Sequence, residues 1–309
     1  MRLGARLESL FRAGWLLPRV VLRYGTTSPS RVRLPGCANW IHIDPTDVRA
    51  RKKFIYDPLR RRVSPPLRFW RSFVAHLQPD IALDVGVNFG ECLFGTGYPL
   101  GTRIVGVEAS PMLAPYLEHS RDEHPDRERI VVHTVLVSDE SADQVPFYLD
   151  TRWSGSSSAT APRGSADGIR RIERRSVRLD ELVQVCEARD RTIVYKMDIE
   201  GFECRALRGF KGALDAAALA VGMIEFDSEL TAAAGEQPEL FIEGLIERFD
   251  VYRFDRYQAN CLDRVERFAD LEAQCLRDGR IHLDLALVTL GTPPSRWLAP
   301  GWTILAPDS

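Results

Sequence analysis

Ile81-Ala82-Leu83-Asp84-Val85-Gly86-Val87-Asn88-Phe89-Gly90 is the stretch on which the fold turns. A short apolar run bounded by glycine predicts a buried parallel strand over Ile81–Val85. The glycines of the turn let backbone approach a ligand, and a following helix would offer it free N–H groups, which describes a nucleotide-type pocket. The turn is not the G-x-G-x-x-G of dinucleotide binding, because Asp84 stands in the first glycine position. A carboxylate there repels pyrophosphate and favours a cationic or amino-bearing ligand.

Outward from this turn the chain alternates. Strands are predicted over Ile104–Val107, Ile130–Val137, Ile193–Ile199, Leu219–Phe226, Val251–Phe254 and His282–Leu290, with a further short strand at Val145–Leu149. Helical spacing covers Phe69–Leu77, Pro111–Glu118, Leu179–Ala188, Glu203–Leu214, Pro238–Arg248 and Leu262–Arg277. Such alternation implies an α/β fold whose main sheet has seven strands, mostly parallel with right-handed crossovers and helices on both faces. The last strand alternates apolar and polar residues, which suits an antiparallel insertion. Residues 151–168 form a polar, small-residue loop holding Ser154, Ser156, Ser157 and Ser158, long enough to act as a lid.

Of the 309 residues, 45% are hydrophobic and 27% charged, which supports a sizeable core and excludes collagenous, disordered and disulfide-scaffold chains. The six cysteines show no C-x-x-C pair, so reduced thiols and a cytoplasmic setting are expected. No apolar run of membrane-spanning length occurs, and Pro18 and Arg19 interrupt the only stretch resembling a signal peptide.

The charge is uneven: residues 1–75 hold sixteen Lys or Arg against four acids, so they carry +12 and the remainder −14. These residues read as a basic N-terminal arm, partly irregular with one short strand at Trp40–Ile43, preceding a domain over 76–309. The arm either docks on the acidic body of its own chain or meets an anionic surface, with peripheral membrane contact through an amphipathic helix over Leu3–Leu22 as one form. Leu10, Phe11, Trp15 and Leu17 would supply its apolar side, and no nucleic-acid partner is expected.

Three charges mark a second site. Period-two alternation in Tyr195-Lys196-Met197-Asp198-Ile199-Glu200-Gly201 puts Lys196, Asp198 and Glu200 on one face if the strand persists. Charges at the end of a central strand are costly unless paired or used, so the choice lies between a structural Lys196–Asp198 ion pair and chemistry. Glu108 ends the second strand twenty-four residues after Asp84, where an acid accepts hydrogen bonds from ribose hydroxyls. The six histidines show no ligand or triad spacing and read as surface or core residues.

In combination these pieces resemble the FkbM family of S-adenosylmethionine-dependent methyltransferases. The resemblance rests on DVGVNFG (84–90), VGVEASP (105–111), LVSD (136–139), the serines at 154–158, VRLDEL (177–182), YKMDIEGFE (195–203) and MIEF (223–226), in the family's order across residues 79–228. Val87 departs from the family's usual Ala, and Ala109-Ser110-Pro111 from its E-P-x-P.

The resemblance implies a Rossmann-like class I methyltransferase fold, S-adenosylmethionine as methyl donor, and O-methylation of a saccharide, glycolipid or secondary-metabolite hydroxyl. Asp84 and Asn88 would line the methionine end of the donor, Gly86 and Gly90 permit close approach, Glu108 hold the ribose, and Ser138 with Asp139 lie near the adenine. The base would be Glu200 or Asp198, then Glu225; a divalent metal held by these acids is the rival arrangement. A nucleotide-cofactor oxidoreductase and a non-catalytic donor-binding module are the competing classes. The sequence is silent on the acceptor, metal dependence and oligomeric state.

Overall fold

The computed structural model describes residues 16–60, 62–161, 168–255, 257–272 and 279–305. The expected helix over Leu3–Leu22 lies mostly outside them; within them a helix runs over Leu17–Tyr24. Cys275 and residues 162–167 of the serine-rich loop also lie outside.

Fourteen strands are described: β1 (Arg31–Val32), β2 (Ile41–His42), β3 (Ile81–Val85), β4 (Arg103–Val107), β5 (Ile130–His133), β6 (Leu136–Val137), β7 (Ala142–Asp150), β8 (Ile169–Val177), β9 (Thr192–Met197), β10 (Leu219–Asp227), β11 (Phe249–Phe254), β12 (Cys261–Val265), β13 (His282–Thr289) and β14 (Thr303–Ile304). Nine form the main sheet in the order β14-β12-β11-β13-β10-β9-β3-β4-β5. From β5 to β10 neighbours are parallel, and β13 runs antiparallel to both β10 and β11. The seven expected strands therefore lie side by side from β11 to the edge strand β5, and their order is that of a Rossmann-like class I methyltransferase fold. It reverses between β3 and β9, and the crevice beyond the carboxyl ends of such strands is where ligands bind.

Two strands extend the sheet past the expected seven. β12 pairs with β11 where a helix over Leu262–Arg277 was expected, and helix survives only at Ala269–Glu272 among the described residues. Leu262 and Val265 are buried against the sheet, so edge pairing overrides a local pattern compatible with either state. The predicted Ile130–Val137 strand divides: β5 stays in the main sheet and β6 joins a separate three-stranded sheet, β6-β8-β7. β8 was not expected, because IRRIERRSV lacks a clean apolar face. The long helices break too. Gln184, at φ 61°, divides Leu179–Val183 from Val185–Ala188, and Gly209 separates Glu203–Arg208 from Lys211–Ala216.

Alternation along the strands sorts the core. Leu83, Val85, Tyr195 and Met197 pack on one face under the helices Glu203–Arg208 and Pro238–Arg248. Ala82, Val194 and Met223 face the helix Pro65–Leu77 on the other. This helix starts earlier than its apolar spacing suggests, because Ser64 Oγ accepts from Leu67 N at 3.2 Å and Pro65 suits the first turn. Val32, Leu34, Ile41, Ile43, Phe54 and Ile55 of the N-terminal segment are buried in this second cluster. Docking on the chain's own body is thus observed here, reinforced by Arg31 on Glu123 at 3.2 Å.

Candidate active site

Strand register assembles the charges. β3 and β9 run parallel with Asp84 beside Lys196, and β10 and β13 set Glu225 beside Asp284. These residues share the parity of Ala82, Val194 and Met223, hence one face, and they collect at the carboxyl ends of the central strands. Lys196 Nζ donates to Gly86 O at 2.9 Å and lies 3.5 Å from both Asp84 and Asp198. Asp84, 1% exposed, also accepts from Leu93 N at 3.2 Å.

The strand does not persist to Glu200. β9 ends at Met197 and Glu200 takes a left-handed φ of 57°, yet its carboxylate still meets its neighbours. Asp198, Glu200 and Glu225 bring one oxygen each to within 4.8 Å of one another. Burial, then Glu225, Asp198 and Glu203, push the Glu200 carboxyl up to about 9. Burial, then Glu225 and Asp198, lift Glu203 to about 8 and Asp284 to about 7. Burial alone would raise Asp198, but Lys196 and Arg49 outweigh it and hold that carboxyl below its ordinary value. Burial would likewise lower Lys196, and Asp198 and Asp84 instead hold its ammonium above the ordinary range.

Two chambers meet at this cluster. One opens between Gly86, Asn88 and Glu108 on the main sheet, Leu136, Val137 and Phe147 of the small sheet, and Ser154–Gly155 of the loop, with about 570 Å³ of space including its mouth. The other, about 1200 Å³, is lined by Trp153, Lys53, Glu91, Lys196, Glu225, His282 and Asp284. Arg49, Gly86, Asn88, Gly155, Asp198 and Glu200 border both. The serine-rich loop folds across the junction: Ser158 Oγ donates to Glu200 O at 2.9 Å and Ser154 Oγ to Asn88 Oδ1 at 3.3 Å.

Glu108 lies in the wall of the smaller chamber, accepting Asn88 N on Oε2 and Ser110 N on Oε1, both at 2.8 Å. Burial raises its carboxyl, against the pull of these two N–H groups. Asn88, at φ 52°, turns Oδ1 to Phe89 N at 3.0 Å. No regular helix follows among residues 88–100; Phe94 N bonds Gly90 O at 2.9 Å in a series of turns that Gly95, Gly97 and Pro99 keep from propagating.

Gly86 has φ 77°, and a Cβ there would lie 1.9 Å from Asp198 O, so glycine is required by the neighbouring strand end. At Gly90 a Cβ would strike the Phe94 ring at 2.1 Å, so this glycine serves internal packing and does not line either chamber. Ser138 and Asp139 are also absent from the walls. Ser138 Oγ donates to Asp139, which pairs with Arg208 at 3.0 Å, and Leu136 and Val137 face the chamber in their place. Asp84 borders only the larger chamber.

Sequence reading missed Arg49, Trp153, Asp284 and His282. His282 Nε2 lies 2.9 Å from Glu225 Oε1, and that hydrogen bond raises its imidazole. His282 sits opposite Asp227 in the β10–β13 register, two positions along from the Glu225–Asp284 pair, and nothing in the local sequence marks that juxtaposition.

The family described as "Methyltransferase FkbM domain" matches residues 84–251, more than half of the chain. The chain belongs to this methyltransferase family. No curated protein matches by sequence. Among solved structures it is similar to the methyltransferase FkbM from Methylobacillus flagellatus KT, at 15% identity over 68% of this chain and 44% of that one, with a TM-score of 0.36. The chain thus spans under half the length of that relative. It is also similar to an O-methyltransferase from Bacillus cereus in complex with S-adenosylhomocysteine (15% identity, 74% and 82% covered, TM-score 0.39). A third is the O-methyltransferase TomG from Streptomyces achromogenes, in complex with S-adenosylmethionine (15% identity, 78% and 86% covered, TM-score 0.40). The assignment rests on the family match.

Proposed function

We propose that the protein is an O-methyltransferase carrying the methyl group of S-adenosylmethionine to a hydroxyl of a saccharide, glycolipid or secondary-metabolite acceptor. The observation that carries this reading is the meeting of two chambers at one carboxylate cluster, one with an apolar wall and Glu108, the other lined mainly by polar and charged groups. The smaller chamber fits the donor. Leu136, Val137 and Phe147 offer an apolar wall for adenine, Glu108 keeps acceptor capacity for ribose hydroxyls beyond its two backbone bonds, and the acids favour a cationic sulfur. When bound, S-adenosylmethionine supplies a sulfonium-activated methyl group open to in-line displacement.

The larger chamber takes the acceptor. Trp153 gives an apolar platform, while Glu225, Asp284 and Lys53 give hydrogen-bonding groups around it, a combination suited to a polyhydroxylated ring. A hydroxyl is a poor nucleophile at neutral pH, so a base must take its proton as the new C–O bond forms and the methyl–sulfur bond breaks. We assign this role to Glu200, because Asp198 is tied to Lys196 and Glu225 to His282. Its carboxyl, high because of burial and the acids around it, holds a proton near neutrality, and a cation arriving beside it favours proton release. A hard divalent cation held by Asp198, Glu200 and Glu225 is the competing arrangement, since their oxygens lie close enough to share one.

Glu200→Gln is expected to keep donor affinity and lose turnover by about 100-fold or more. Unchanged turnover removes Glu200 from the role. Wild-type activity abolished by a chelator and restored by magnesium would favour the metal arrangement.

A further inference from the structure

Arg49 lies thirty-five residues before the glycine turn, in the N-terminal segment, yet it borders both chambers. It is held there on purpose-built contacts. Asp47 caps the short helix Val48–Ala50 by accepting Ala50 N on Oδ1 at 2.6 Å, and its Oδ2 accepts Ser154 N at 2.8 Å. Val48 N donates to Arg152 O at 3.3 Å, so the segment and the serine-rich loop are latched together. The arginine stem then crosses Gly155: a Cβ on that glycine would lie 2.4 Å from Arg49 Cδ and 2.5 Å from Nε.

The guanidinium so placed makes no hydrogen bond or ion pair to the described residues. Lys196, the other strong cation at the cluster, is committed to Gly86 O, Asp84 and Asp198. Arg49 is also the only Lys or Arg among the described residues lining the smaller chamber. Its charge is felt there, pulling the carboxyls of Glu108, Asp198 and Glu200 downward. An uncommitted guanidinium over a cavity calls for a planar anion, because its donors form a rigid fork matching a carboxylate in two parallel bonds.

We infer that Arg49 is the anchor for the α-carboxylate of the methyl donor, an inference that rests on the donor reading above. The amino-acid end of S-adenosylmethionine is zwitterionic. Asp198 and Glu200 suit its ammonium and sulfonium but repel its carboxylate, and Arg49 is the group in that chamber that reverses the repulsion. Because Arg49 comes from the N-terminal segment and lies on the loop, donor binding also holds these two against each other over the junction.

The test is a calorimetric comparison on the full chain of wild type, Arg49→Gln and Arg49→Lys, with S-adenosylhomocysteine and decarboxylated S-adenosylmethionine as probes and thermal unfolding as a folding control. Arg49→Gln is expected to weaken S-adenosylhomocysteine about 10- to 100-fold without weakening the decarboxylated ligand, a dication that gains from loss of a neighbouring positive charge. Arg49→Lys, a point charge without the fork, should fall between and stands in if the glutamine variant does not fold. Equal losses for both probes, or none for either, overturn the inference; the second result with a raised KM for an acidic acceptor would move the anion to the acceptor. Wild-type protein binding neither probe would instead sink the donor reading itself.

Discussion

At the scale of single residues, the proposed base Glu200 would set the pH behaviour. Its carboxyl is raised to about 9 by burial and by Glu225, Asp198 and Glu203. As a base it works only when ionised, so kcat/KM should rise with pH towards that value, and the limb in kcat should lie lower because bound sulfonium favours the carboxylate. A falling limb over the same range would contradict the assignment. The stability effect has the opposite sense. Between its unfolded value, near the ordinary 4.5, and about 9, the folded protein retains a proton that the unfolded chain has released, so stability falls as pH rises through this window. Glu200→Gln removes that term: its melting temperature should match wild type near pH 4 and exceed it increasingly up to pH 9, by about 2–4 °C for each kcal/mol relieved. Parallel melting curves would place the acid in water. Lys196, Asp198 and Glu200 could be grouped from alternation alone, although the alternation stops at Met197 and a left-handed turn completes the cluster. Arg49 could not, because nothing local to Val48–Ala50 encodes the cavity it reaches.

At the scale of elements, the turn after β3 carries the site. Gly86 is fixed by φ 77° and by the carbonyl of Asp198, which a Cβ would meet at 1.9 Å. Gly86→Ala should therefore cost more than about 1 kcal/mol of stability and displace Asp198, weakening donor binding together with the fold. Chemical denaturation with a parallel titration checks this, and a variant as stable as wild type would mean that the turn yields easily. The central strands were readable because burial on both faces leaves near-continuous apolar runs, Leu219–Ile224 throughout and Ile81–Val85 but for Asp84. The small sheet was half readable: β7 has an apolar core at Phe147 and Leu149, whereas β8 pairs through backbone and shows arginines to solvent. The helix break at Gly209 answers to a tertiary contact. A Cβ on Gly209 would lie 2.1 Å from Ser138 O, on a strand end distant in sequence.

At the scale of the whole molecule, chain order and sheet order together place the chemistry. Reversal between β3 and β9 opens the crevice, β10 and β13 add acids to one wall, and the small sheet with the N-terminal segment closes the other. The charge asymmetry of the sequence finds part of its meaning there, since Arg49 and Lys53 from the basic segment border an acidic cluster. No helix among the described residues is long and apolar enough to cross a membrane. The central claim, a methyl donor seated against Glu108 and the acid cluster, is tested most directly by calorimetric titration with S-adenosylmethionine, with NAD as comparison and Glu108→Ala as site control. Micromolar binding of the sulfonium donor alone, lost in the variant, is the result expected. A folded wild-type protein that gives no heat with the donor, or that binds NAD in its place, would contradict the account.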